Sequence, residues 1–224
     1  GNISQSSNKF EFENHGIFAQ GTYDINDQWA MTAGIRYTID RVKGYDESVR
    51  LSPPPFQPGA PLIATCSDVF RFPGVIATDP SVCGNTIEQN SEEPTWLINL
   101  DYKPNADTLL YAKYARGYRQ GGVNFTNPGV ETWEPEKVDN YEIGAKYAFS
   151  GTVPGYFNIA AFYNDYTDQQ LFGALITDRV NFPQVSGGNA IVNAGESKIA
   201  GIEIDATALF FDNFRLSGAY AYLD

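Results

Sequence analysis

The sequence predicts an all-β chain, a transmembrane antiparallel up-and-down β-barrel of which its 224 residues supply about eight strands. Three observations carry that expectation. Apolar residues recur at every second position in segment after segment. Short and long connections alternate between those segments. Aromatic residues gather beside the short ones.

The clearest segment runs from Trp29 to Asp40, with Trp29, Met31, Ala33, Ile35, Tyr37 and Ile39 apolar and Thr32, Gly34, Arg36, Thr38 and Asp40 between them. A helix scatters that apolar set around its whole cylinder, so the period of two means a strand. From Trp29 to Ile39 the chain extends about 33 Å at ~3.3 Å per residue, and a tilt of ~45° reduces this to about 23 Å, close to the ~25 Å apolar band of an outer-membrane barrel. Ahead of it the same alternation takes Ile17, Ala19, Gly21 and Tyr23; after it come Trp96 to Tyr102, Tyr141 to Tyr147, Phe157 to Tyr163, Ile202 to Phe210 and Phe214 to Tyr222. The intervening positions hold Gln20, Asn99, Asp101, Glu142, Lys146, Asn158, Glu203, Asp205 and Arg215, a face that must be wet or internally paired, because an isolated charge in a dry core costs several kcal/mol. In Leu109 to Tyr118 either parity fits. Placing Lys113 inward and Arg116 outward near a rim is preferred, since a mid-strand charge against lipid costs roughly 2–4 kcal/mol while a rim arginine can snorkel.

The connections follow in order. A tight turn holds Asp24 to Asp27, and a long extracellular connection is expected from about residue 41 to residue 93. Short turns are expected at Lys103–Asp107, Ser150–Gly155 and Phe211–Asn213. Between them lie a Gly-rich loop through Gly121, Gly122 and Gly129 to Trp133, and a loop carrying Pro183, Gly187 and Gly188. Tight turns at one end and long loops at the other are the habit of outer-membrane barrels. Tyr23, Trp29, Tyr102, Phe149, Tyr156, Phe210, Phe211 and Phe214 surround the short turns and predict an aromatic belt at one membrane interface. Cys66 and Cys83 both fall in the longest connection; a bridge there removes roughly 3 kcal/mol of unfolded-state entropy and implies an oxidising compartment, two thiols that never pair being the other reading.

Composition narrows function. The net charge of -12 with only 15 Lys and Arg argues against a nucleic-acid partner, and one His with two Cys leaves little for a metal site. Mean hydropathy is -0.32, which is neutral for a barrel because its apolar residues alternate with polar ones. Hydrolase elbow, phosphate-loop and zinc-protease motifs are absent from the sequence. Acidic pairs such as Asp165 and Asp168 without a pocket read as solvated charges. No enzyme, catalytic residue or cofactor is therefore expected.

The run Tyr111-Ala-Lys-Tyr-Ala-Arg116-Gly117-Tyr118-Arg-Gln-Gly121-Gly122-Val-Asn124 resembles the barrel of TonB-dependent outer-membrane receptors, in which such a strand enters a Gly-Gly-x-Asn loop. Trp29 to Tyr37, Glu134 to Lys146 and Asn193 to Glu203 are similar to other strand–turn–strand units of that family. The resemblance implies a segment of a larger 22-stranded barrel in the bacterial outer membrane, with the family's plug domain absent from this stretch. It implies energy-coupled uptake of a scarce nutrient, most often a ferric siderophore, with the lipid bilayer and, through the plug, TonB as partners. Aromatic and cationic loop residues suited to anionic iron chelates are Tyr118, Arg119, Gln120, Asn124 and Trp133 in one outer loop and Phe172 and Arg179 in another. The reading favoured for each taken singly is an ordinary solvated or loop-packing residue rather than a ligand contact. Arg36, Glu142, Lys146, Glu203 and Asp205 are expected as inward ion pairs rather than ligand contacts. A porin-like passive channel and a soluble β-sandwich binding module are the alternatives.

Overall fold

A computed structural model describes residues 3–52, 61–68, 71–125, 129–176, 188–211 and 213–224. In chain order the strands are β1 (Ile3–Asp24), β2 (Trp29–Ser52), β3 (Ile63–Cys66), β4 (Gly84–Asn105), β5 (Thr108–Arg119), β6 (Gly122–Val123) and β7 (Thr132–Trp133). They continue as β8 (Glu136–Phe149), β9 (Gly155–Thr167), β10 (Gln170–Leu175), β11 (Gly188–Asn193), β12 (Ser197–Phe210) and β13 (Phe214–Leu223). Eight of them form one antiparallel meander, β1-β2-β4-β5-β8-β9-β12-β13, to which β3 adds on β2. β6 with β7 and β10 with β11 make two small hairpins.

Register sorts the side chains into two faces, because partners directly opposite one another share a face. Ala33, Ile98, Tyr114, Tyr141 and Tyr163 follow one another across five strands on the apolar face. Thr32, Asn99, Lys113 and Glu142 do the same on the polar face. Lys113 is therefore inward, and Arg116 stands on the apolar face opposite Trp96.

The meander is a single layer. No large side chain is fully buried among the described residues, and Ile17 and Ile143 stay 74% and 63% exposed. A sandwich buries such rows against a second sheet; here they face outward, as lipid contact requires.

Aromatic rings sort by height on that outer face. Trp29 stacks on Tyr102 at 4.4 Å beside the short turns. A second row, which the turn-side reading does not anticipate, joins Trp96, Tyr114, Tyr141 and Tyr163, with successive centroids 6.4, 4.9 and 6.4 Å apart. Trp96 and Tyr102 lie about 20 Å apart along β4 at ~3.4 Å per residue. Tyr156 does not join the belt: opposite Ala148 and Thr207 it lies on the polar face.

The expected connection over 41–93 is strand at both ends. β2 continues to Ser52, and β4 already pairs with it from Gly84. Apolar alternation stops near Ile39 because both faces turn polar there, which marks the end of lipid contact rather than the end of the strand. β1, β2 and β4 therefore stand well above their neighbours as a tall three-stranded extension. The turn expected over Lys103–Asp107 is likewise shorter, since β4 runs to Asn105 and β5 starts at Thr108.

Candidate functional site

The lumen-side face of the extension is where burial occurs. Thr38, Asp40, Val42, Gln89 and Ser91 are buried there under the loop that follows β5. Glycines permit the approach. At Gly121 a Cβ would collide with the Trp133 carbonyl, and the Gly121 N–H donates to Ser91 Oγ at 3.3 Å. At Gly44 a Cβ would meet the Phe125 ring. The loop thus folds inward over the mouth instead of standing away from it.

Most of the expected ligand residues converge here. The Tyr118 hydroxyl donates to the Asp40 carboxylate, which also accepts from Asn14 Nδ2 at 2.5 Å. Arg119 pairs with Glu136 at 2.9 Å and donates to the Gln170 carbonyl at 3.3 Å. Gln120 contributes its carbonyl, 2.8 Å from Gln170 Nε2. Asn124 donates to the carbonyls of Val130 and Ile191 at 2.7 and 2.9 Å and accepts from the Ile191 N–H at 3.2 Å. Trp133 lays its ring where a Cβ of Gly122 would be, and its buried indole N–H has no partner among the described residues. Phe172 projects from β10 opposite Ile191 and is 72% exposed. Arg179 lies outside the described residues.

Other groups knit these loops together and carry no sequence signal beyond being polar. Asn193 donates to the carbonyls of Glu134 and Asp168 at 2.9 and 2.7 Å, and the Glu134 N–H returns a bond to Asn193 Oδ1 at 2.7 Å. Gln89 Nε2 reaches Glu134 Oε2 at 3.2 Å, tying β4 to the same knot. Asp40, Gln170 and Asn193 are the residues that sequence reasoning missed. Only the fold brings each of them to partners tens of positions away.

Outside the membrane, charge is locally balanced. The Arg41 guanidinium forks onto Glu88 at 2.8 and 2.7 Å and holds that carboxyl below its ordinary range. Burial pushes the Asp46 carboxyl up, with Arg71 opposing and Asp68 and Glu47 adding to the rise. Burial pushes Glu131 up as well, but the Gly129 N–H and Arg71 outweigh it and leave the group lowered.

Lower on the polar face, Lys113 Nζ meets Glu142 Oε2 at 2.5 Å, and the Tyr111 hydroxyl donates to Glu142 Oε1 at 2.7 Å. Lys146 lies 5.8 Å from the Tyr111 ring, and Asn158 Nδ2 donates to Asp205 at 3.0 Å. Glu203 shares the recess they line, about 200 Å³. Arg36 donates to Thr38 Oγ1 at 2.9 Å and covers Gly16. Of the five residues expected as inward ion pairs, Glu142 is in one; Arg36, Lys146 and Asp205 make other contacts on that face, and Glu203 lines the recess.

Comparison with known proteins places this geometry. The family model described as TonB dependent receptor-like, beta-barrel matches residues 1–224. The probable TonB-dependent siderophore receptor PiuA of Acinetobacter baumannii is 24% identical over 165 residues, covering 70% of this chain and 20% of that protein. The pesticin receptor of Yersinia enterocolitica is 25% identical over 126 residues, covering 55% and 17%. Among solved structures, the ferric yersiniabactin uptake receptor FyuA from Yersinia pestis superposes with a TM-score of 0.66 at 18% identity, over 99% of this chain and 28% of that one. The chain thus spans about a fifth of the length of the curated relatives it matches.

Proposed function

This chain belongs to the TonB-dependent receptor β-barrel family of the bacterial outer membrane, and from that premise we propose that it forms part of the wall and mouth of a receptor for energy-coupled uptake of a ferric siderophore. The observation that carries the reading is the two-faced single sheet crowned by interlocked outer loops. Lipid takes the apolar face between two aromatic rows, the polar face lines an interior, and the loops gather Tyr118, Arg119, Gln120, Asn124, Trp133 and Phe172 at the entrance. Exposed aromatic surface with nearby cations suits an anionic iron chelate, since a guanidinium attracts its negative charge while a ring stacks on its planar apolar parts. The barrel itself performs no bond chemistry in this reading. Energy reaches it through TonB acting on a plug domain.

Growth of a receptor-deficient strain on a panel of ferric chelates, with and without the full-length receptor, tests the proposal. Restored growth on one chelate, lost when TonB is deleted, is the expected result. Restoration that survives loss of TonB means a porin-like passive channel, and restoration by none of the chelates overturns the iron assignment.

A further inference from the structure

β3 and β4 share a lane. Both pair with the edge of β2 that β1 leaves free, β3 against Val49–Ser52 and β4 up to Glu47, and both run antiparallel to it. The chain leaves that lane at Ser67, whose N–H still reaches the Ser48 carbonyl at 2.9 Å, and re-enters at Gly84. The disulfide between Cys66 and Cys83 spans the break, with Cα atoms 5.3 Å apart. The described residues 67–68 and 71–83 therefore belong to an excursion closed at its base by sulfur. Phe72, Val75 and Ala77 fold back onto Val49 and the two cysteines. The Ala77 N–H also bonds the Ala64 carbonyl at 2.9 Å.

One side chain leaves this unit for the mouth. Arg71 donates through Nη2 to Glu131 Oε1 at 3.1 Å, while Asp68 braces its backbone N–H at 3.0 Å. Glu131 belongs to the inward-folded loop: its carbonyl accepts the Asn124 N–H at 2.7 Å and its carboxylate accepts the Gly129 N–H at 2.9 Å. Both ends of the pair are half-buried, at 24% and 36% exposure, so solvent screens it less than a surface pair.

We propose that the disulfide-closed excursion and Arg71 form a latch that presets the mouth-loop residues 121–125 and 129–133 for ligand. Cys66, Cys83 and Arg71 are its positioning residues. The latch rests on the ligand role assigned to the mouth above. Among its described residues the loop's own bonds are the two-residue β6–β7 ladder and a few contacts of Asn124 and Glu131, too few to fix one conformation, and apparent affinity falls by the fraction of time it is out of place.

The test uses the full-length receptor in detergent micelles, with Arg71→Ala, with Cys66→Ala plus Cys83→Ala, and with the charge swap Arg71→Glu plus Glu131→Arg made together with Asp68→Asn, because the Asp68 carboxylate also pairs with the Arg71 guanidinium at 3.4 Å. Hydrogen exchange without ligand is read at residues 121–125 and 129–133. About tenfold faster exchange is expected there in the first two variants, joined by the excursion itself in the cysteine variant, with transmembrane strands unchanged and the swap restoring the protection lost in Arg71→Ala. A comparable loss of affinity for the ferric chelate selected by the growth panel accompanies it. Unchanged exchange at 129–133 in Arg71→Ala overturns the latch, as does a swap that fails to restore it. Faster exchange with unaltered chelate affinity overturns its service to ligand capture. A wild-type receptor that binds none of the chelates overturns the functional reading instead, and the exchange arm still decides the latch.

Discussion

Asp40 shows how much one side chain can organise at the mouth. It is 2% exposed, and its two oxygens take bonds from Asn14 and Tyr118, joining β1, β2 and β5. Tyr118→Phe leaves that buried carboxylate one donor short, and a destabilisation of about 1–3 kcal/mol is expected in chemical unfolding of the reconstituted receptor. Glu131 and Asp46 make a second, pH-dependent case. Glu131 is held below its ordinary 4.5, so its contribution is present above that value and lost as pH falls through the lowered one. Asp46 is raised above 3.8, so the stability it contributes is present below that value and lost as pH rises through the raised one. Exchange protection at 129–133, corrected for intrinsic rates, is expected to weaken as pH falls through the lowered Glu131 transition and to lose a second increment as pH rises through the raised Asp46 transition, the latter absent in Asp46→Asn. Little of this is legible in a sequence. The aromatic and cationic character of Tyr118, Arg119 and Trp133 is visible there, but that the first two meet Asp40 and Glu136 depends on chain segments brought together from far away.

Individual strands were far more readable, because a period of two in hydrophobicity is imposed by lipid on one side and an aqueous or paired interior on the other. Ile143 sits mid-strand on the outer face between the aromatic rows; Ile143→Arg is expected to cost about 2–4 kcal/mol in bilayer unfolding titrations, whereas the same change at Asn158 on the polar face should cost much less. Gly144 lies opposite Tyr111, and a Cβ there would stand 2.5 Å from its ring. Gly144→Ala should therefore displace Tyr111 from Glu142 and destabilise by about 1–3 kcal/mol, with loss of that hydroxyl bond as the structural signature. Where the pattern misled was above the membrane. Once both faces are wet, the alternation that betrays a strand disappears, so 41–52 and 84–93 looked like loop although their backbones stay paired. The second aromatic row escaped notice for a related reason: its rings mark the far interface, where strands continue and no turn draws attention to them.

As a whole the molecule is an open sheet. β1 and β13 each have one edge without a partner among the described residues, and the outer rows stay exposed. The 224-residue chain expressed alone is expected to aggregate in water and to disperse in detergent, a contrast that size-exclusion chromatography reads directly. The meander and its handed-out faces were legible because each strand repeats one rule; the mouth was not, since three loops with no common pattern build it. The sulfur link between Cys66 and Cys83 also alters what counts as an intact polypeptide. A protease nick near exposed Gly74, whose φ of 69° marks a sharp corner, leaves both fragments held as one rib, to separate on a denaturing gel only after thiol treatment.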